Sequence, residues 1–110
     1  MATTYKVLGQ SSPGRDVFTD LYVTPNSTQA VVSSLVICNR GNTTVGSRVA
    51  VRTANAALLN KHYIVYDLPT PSFDTISLTL GITLANADVV SVYSTDNSNL
   101  SYTLFGSEIA

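Results

Sequence analysis

Hydrophobic and polar residues alternate with a period of two in short runs along the whole chain. In "TISLTLGIT", for example, Ile76, Leu78, Leu80 and Ile82 alternate with Thr, Ser and Gly. This alternation predicts strands with one face in a core and the other in water. No window keeps the i, i+3, i+4, i+7 spacing of an amphipathic helix beyond about one turn, so the pattern indicates an all-β protein.

Eight strands are predicted, at residues 5–8, 16–23, 29–39, 47–53, 62–67, 75–83, 89–94 and 100–105. The segments "GQSSPGR", "TPNST", "NRGNTTVG", "LPTPSFD" and "STDNSN" connect them and contain the residues that favour turns. The connection "ANAALLN" has room for a single helical turn. Short strands at intervals of roughly 8 to 12 residues predict an eight-stranded antiparallel β-sandwich, either jelly-roll or immunoglobulin-like.

The third predicted strand, "QAVVSSLVICN", is apolar on both faces. Strict alternation places Val31, Leu35 and Ile37 on one face and Val32, Val36 and Cys38 on the other. If the first face lies in the core, the second exposes apolar area to water unless something covers it. We therefore predict a subunit interface at Val32, Val36 and Cys38; the alternative is that a terminal segment or the "ANAALLN" loop covers this face.

Size and charge favour one domain over residues 1–110, in which residues 1–15 are compatible with an extended N-terminal arm. The chain has 110 residues, of which 45% are hydrophobic and 12% charged, and its net charge is -1. The six cations are scattered, so no basic surface for nucleic acid is expected. Neither an export signal nor an apolar run of the roughly 20 residues that span a membrane is evident, so no membrane partner is expected.

Candidate chemistry is sparse. His62 is the only histidine and Cys38 the only cysteine, which excludes an internal disulfide and argues against a zinc or iron site. "GxSxG" and the EF-hand spacing are both absent, and the acidic residues near strand ends suit turn hydrogen bonds. No catalytic, cofactor-binding or metal-binding residue is assigned, and the chain is not expected to be an enzyme.

The six tyrosines suggest a second use for the surface. Aromatic side chains on a small β-sandwich can form a platform on which sugars stack, as in carbohydrate-binding modules. Tyr63 and Tyr93 are the candidate ligand contacts. Tyrosine is also favoured in strands and at protein interfaces, so packing and subunit contacts are the alternative explanation.

Three segments carry a family resemblance: "LYVTPNSTQAVVSSLVICNRG", then "SRVAVRTANAALLNKHYIVYDLPTPSFDTISLTLGITLANADVVSVYS", and finally "LSYTLFGSEI". From about Leu21 onward the chain resembles small virion structural proteins of tailed phages, especially those that infect marine cyanobacteria. Two positions depart from that pattern. Thr24 replaces Val in the strand ending, and "AGD" is replaced by Asn86-Ala87-Asp88, which would place positive φ on Asn86 or Ala87.

The resemblance implies a non-enzymatic virion protein, made in the host bacterial cytoplasm and assembled in many copies. It implies a homo-oligomer, with a trimer favoured, that contacts other virion proteins such as the major capsid protein. A capsid decoration or cement protein is the first interpretation, and a tail, fibre or baseplate component is the second. The rivals from other classes are a carbohydrate-binding module and an immunoglobulin-like adhesin or pilus subunit, which would need a secretion signal.

Overall fold

The structure is a computed structural model that describes residues 2–96 and 99–110, so the predicted "STDNSN" turn lies partly outside the described residues. Nine strands form within the described part: β1 Thr3–Ser11, β2 Thr19–Val23, β3 Gln29–Asn39, β4 Val45–Arg52, β5 Tyr63–Thr70, β6 Thr75–Leu78, β7 Ile82–Leu84, β8 Val89–Ser94 and β9 Leu100–Ile109. Two short 3-10 turns, Thr53–Asn55 and Asn60–His62, occupy the ends of the connection in which one helical turn was expected.

The strands form two antiparallel sheets that pack face to face. The first sheet has the order β1-β9-β3-β6, with β7 also paired to β3, and the second has the order β2-β8-β4-β5. If β6 and β7 are counted as one strand, the first strand pairs with the last, the second with the seventh, the third with the sixth and the fourth with the fifth. This is jelly-roll winding, so the predicted β-sandwich is confirmed and the immunoglobulin-like alternative is wrong.

The predicted strand 75–83 is interrupted at Gly81. β6 pairs with one half of β3, with Leu78 opposite Leu35, and β7 pairs with the other half, with Ile82 opposite Val32. Gly81 has a φ of 60°, a conformation that costs glycine little and that lies outside the range of regular β-strands. Apolar and polar residues alternate on both sides of this break because β6 and β7 both pair with the same edge of β3.

A β-bulge in β3 changes which side chains face the core. The register between β3 and β9 shifts between Val32 and Ser34, so side chains on either side of the shift alternate in opposite phase. Val32 is 1% exposed and Leu35 and Ile37 are 0% exposed, all in the core, whereas Val31 is 40% exposed. The outward placement predicted for Val32 is therefore wrong, because strict alternation does not anticipate an inserted residue. Val36 and Cys38 are half-buried, on the opposite side of β3 from Leu35 and Ile37, as predicted.

Residues 3–11, within the segment for which an extended arm was considered, form an edge strand of the first sheet. β1 pairs with β9 from Thr3 opposite Ile109 to Ser11 opposite Tyr102. Leu8, at a second bulge, belongs to the core. The next residue, Gly9, has no room for a side chain, because a Cβ at this position would lie 2.1 Å from the Leu21 carbonyl oxygen. The N-terminal segment is therefore an integral edge of the first sheet.

Polar side chains fix both ends of the sandwich. At one end, the buried Asn39 amide nitrogen donates to the carbonyl oxygens of Thr43, Thr70 and Pro71 at 2.7, 3.0 and 3.2 Å. At the other end, Ala87 has the positive φ expected in that turn, 67°. The Asp88 carboxylate there accepts the backbone N–H groups of Ala85 and Ala54. These hydrogen bonds tie the connecting loops to the strands at both ends of the sandwich.

Candidate functional surfaces

Val36 and Cys38 lie among small polar residues on the outer face of the first sheet. Val36 is opposite Ser77 on one side and Thr103 on the other, and Cys38 is opposite Thr75 and Ser101. Their neighbours cover part of each side chain, so only a small apolar area remains there. The opposite half of this face is much more apolar.

Four exposed apolar side chains cluster at that other half: Tyr5, Val7, Val31 and Phe105, which we call the apolar patch. Val7 is directly opposite Phe105 in the β1–β9 ladder, and Val31 lies on the next strand. Tyr5 is 84% exposed, and the other three are between 37% and 44% exposed. Tyr5, Val31 and Phe105 line a shallow groove of about 520 Å³ together with Ser33 and Ser107. Isolated exposed apolar residues are ordinary, but a contiguous group is a signature of an interaction surface.

The apolar patch was not among the surfaces predicted from the sequence. The alternation in "TYKVLG" places Tyr5 and Val7 on one face of a strand, which was the available signal. Val31 was placed on the wrong face because of the β3 bulge. Phe105 joins Val7 only through the pairing of the first strand with the last, which alternation does not reveal.

A polar cluster lies on the opposite side of β1 and β9 from the patch. The Tyr22 hydroxyl donates to Glu108 Oε2 at 2.5 Å, and Lys6 Nζ donates to Glu108 Oε1 at 3.0 Å. These two donors lower the pKa of Glu108 below its ordinary value. Burial, followed by the bond to Glu108, raises the pKa of Tyr22. The only charged side chain of β1 is therefore already paired within the molecule.

The outer face of the second sheet brings Tyr63 and Tyr93 into one cluster, with Phe18 between them. The ring centre of Phe18 is 4.9 Å from that of Tyr93 and 5.9 Å from that of Tyr63. Tyr66 packs edge-on against Tyr63 at 5.0 Å. The Arg48 guanidinium carbon lies 4.2 Å from the Tyr66 ring centre and 4.6 Å from that of Tyr93. These five side chains are the aromatic–arginine cluster.

Two carboxylates at positive φ complete the cluster. Asp67, at a φ of 51° within the β5 bulge, accepts from Arg48 Nε at 2.6 Å and from Nη2 at 3.3 Å. Asp16, at a φ of 56°, accepts the Tyr93 hydroxyl at 2.6 Å. The bond to Asp67 is the main cause that raises the pKa of Arg48, and the bond to Asp16 is the main cause that raises that of Tyr93. The cluster thus offers ring surface and carboxylate oxygens to a ligand.

His62, the only histidine, has a structural role. His62 is buried in the second 3-10 turn, where its Nδ1 accepts the Leu59 backbone N–H at 2.9 Å. Across residues 2–96 and 99–110, no three His, Cys, Asp or Glu side chains group as metal ligands would. The same residues contain no helix long and apolar enough to cross a membrane.

Comparison with known proteins identifies the fold. No protein-family model and no curated protein matches the chain. A chain in the structure of the infectious bursal disease virus Gx strain aligns with a TM-score of 0.51 at 10% identity, covering 97% of this chain and 32% of that one. A chain of the T13 particle of infectious bursal disease virus aligns with a TM-score of 0.52 at 10% identity, covering 97% and 29%. This chain therefore spans less than a third of the length of each match, and the likeness is one of fold.

Proposed function

We propose that this protein is a non-enzymatic structural component of a virus particle, present in many copies. The observation that carries the proposal is the alignment of nearly the whole jelly roll, 97% of the chain, with chains from an icosahedral virus particle. Jelly rolls are a recurrent architecture of viral shells, although they also occur in lectins and cupins. The exposed apolar patch supports the proposal, because a repeatedly assembled block needs surfaces that neighbouring molecules cover.

The role we favour is that of a decoration or cement protein on the capsid of a tailed phage, in contact with the major capsid protein. Its support is the sequence resemblance, the small single block and the icosahedral source of the fold matches. A homo-oligomer, with a trimer favoured, and contacts through Val36 and Cys38 remain predictions. A tail, fibre or baseplate role is the alternative within the same class.

Quantitative mass spectrometry of purified particles tests the proposal. We expect the chain in mature particles at a copy number comparable with that of the major shell protein. A copy number that is a small fraction of the shell protein's would favour the tail alternative. Absence from purified particles, with the chain present in infected cells, would contradict the virion role altogether.

A glycan-binding role is the second candidate, because one specific observation favours it. Its support is that Tyr63 and Tyr93 both pack against Phe18 in one cluster, and that Tyr66 beside Tyr63 is 60% exposed. Calorimetry with soluble host-surface oligosaccharides tests this role. Tyr66→Ala should abolish binding, whereas Tyr5→Ala, which removes an exposed tyrosine from the other sheet, should leave it intact. Equal losses in both variants would reject the cluster as the site.

A further inference from the structure

Strand β1 forms one edge of the first sheet, and some of its backbone N–H and C=O groups have no partner strand. Ala2 exchanges both backbone hydrogen bonds with Ala110, at 2.9 and 3.0 Å. In an antiparallel ladder such pairs alternate with pairs that make no bonds to each other, so the N–H and C=O groups of Thr3, Tyr5 and Val7 point away from β9. Among the described residues no strand lies on that side, because the sheet order ends at β1.

The other sheet edges have features that limit pairing with another chain. β2 has five residues and a bulge, and β6 and β7 have four and three residues. β5 contains Pro69 and the bulge at Asp67. β1 has nine residues, no proline and one charge, Lys6, which is bonded to Glu108. From Thr3 to Val7 it is therefore an open template for a further strand.

We propose that a second copy of this chain pairs with β1 in antiparallel orientation, with a two-fold axis at Tyr5. Tyr5 then faces the partner's Tyr5, and Thr3 faces the partner's Val7. The outward-facing backbone N–H and C=O groups of all three alternate residues therefore meet matching groups of the partner. The two first sheets become one continuous sheet across the dimer.

Side-chain chemistry makes a second copy the fitting occupant. In this register Lys6 lies opposite the partner's Thr4, so no two like charges face each other across the junction. The Tyr5 rings meet across the axis, a favoured cross-strand pair. Two of the three residues with unpaired backbone groups, Tyr5 and Val7, also carry half of the apolar patch. Pairing therefore joins the two patches into one surface and covers the most exposed ring of the chain.

Sedimentation velocity over a range of concentrations tests the pairing. In place of the trimer that the sequence resemblance favours, we expect dimers of the unmodified chain. We expect folded monomers of Tyr5→Pro, because proline removes an N–H that β9 does not use. Phe73→Ala, which truncates a similarly exposed aromatic residue far along the chain between β5 and β6, should remain dimeric. A chain that stays monomeric throughout, or a Tyr5→Pro variant that still dimerises, would overturn the proposal.

A cross-linking variant decides the geometry even if Tyr5→Pro fails to fold. Opposite residues of an antiparallel pair lie about 5.5 Å apart at Cα, within disulfide range. With Cys38→Ser as background, Tyr5→Cys should give a disulfide-linked dimer on mild oxidation and Phe73→Cys should not. Absence of the Tyr5→Cys dimer would contradict the two-fold axis. The pairing goes beyond the virion role and can fail separately, since dimers absent from particles would refute only that role.

Discussion

The outer faces of the two sheets are both rich in aromatic or aliphatic side chains, yet they leave different groups unsatisfied. On the second sheet the Arg48 guanidinium has two ring faces and both Asp67 oxygens as partners, and the Tyr93 hydroxyl bonds to Asp16. On the first sheet the apolar patch lies beside an open strand edge. Apolar content alone therefore does not identify an assembly surface; unmet backbone and side-chain contacts do.

The difference originates in where each face keeps its charges. The second sheet places its arginines on the outer face, and Arg52 also pairs there with Asp20 at 2.8 Å. The first sheet holds the ion pair of Lys6 and Glu108 on the side of β1 and β9 opposite the patch. Its outer face near β1 is left with side chains that gain free energy only by burial. We therefore expect the first sheet to mediate contacts between copies.

The largest expected effect concerns neighbouring residues of β3. Val32→Asp buries an unpaired carboxylate and should destabilise the fold by about 3 to 5 kcal/mol or more, a large fraction of the stability of a domain of this size. Val31→Asp places the same side chain on the outer face and should leave the chain folded. Urea denaturation followed by circular dichroism measures both. Similar losses in the two variants would contradict the bulge and the face assignment derived from it.

Gly106 gives the next largest effect, beneath the apolar patch. A Cβ at this position would lie 2.2 Å from the Val31 carbonyl oxygen and 2.9 Å from Leu8 Cδ1, so Gly106→Ala forces β3 and β9 apart. We expect a loss of about 1 to 3 kcal/mol in the free energy of unfolding, as for other overpacked sites. Gly14→Ala is the matched control, since nothing lies within 4 Å of its Cβ. An unchanged denaturation midpoint for Gly106→Ala would show that β3 and β9 can move apart at this point without loss of stability.

Sequence alternation was sufficient for most of the strands and for the β-sandwich, because those follow from local periodicity. It failed where one residue changed the phase, so that Val32 and Val31 exchanged faces. It also could not supply contacts between distant strands. Tyr63 lies on β5 and Tyr93 on β8, two strands that both flank β4 in the second sheet. Their rings belong to one cluster because both pack against Phe18. Such pairings depend on the winding of the whole chain, which eight similar alternating runs do not specify.

A smaller effect is expected from pH, through the cluster behind the apolar patch. Because Tyr22 and Lys6 lower the pKa of Glu108 in the folded state, its contribution to stability is present above the pKa of a free glutamate. That contribution is lost as the pH falls below the pKa of a free glutamate and through the lower folded-state pKa. The thermal midpoint of the unmodified chain should therefore drop more steeply in acid than that of Glu108→Gln. Parallel acid profiles would show that Glu108 titrates as it does in the unfolded chain.

The smallest expected effect separates the aromatic–arginine cluster from the rest of its sheet. Arg48→Lys keeps the charge but cannot bond both Asp67 oxygens while lying over two rings, because an ammonium is a point donor rather than a planar fork. We expect a slight fall in the thermal midpoint together with a clear change in the near-ultraviolet circular dichroism of the tyrosines. Arg52→Lys, on the same face but bonded to Asp20, Ser91 and Ala56 without a ring contact, should leave that spectrum unchanged. If both variants alter the spectrum equally, the Arg48 guanidinium does not order the rings. The contrast between the second sheet, whose charged groups are paired within the molecule, and the first sheet, whose β1 edge is unpaired, then loses its main support.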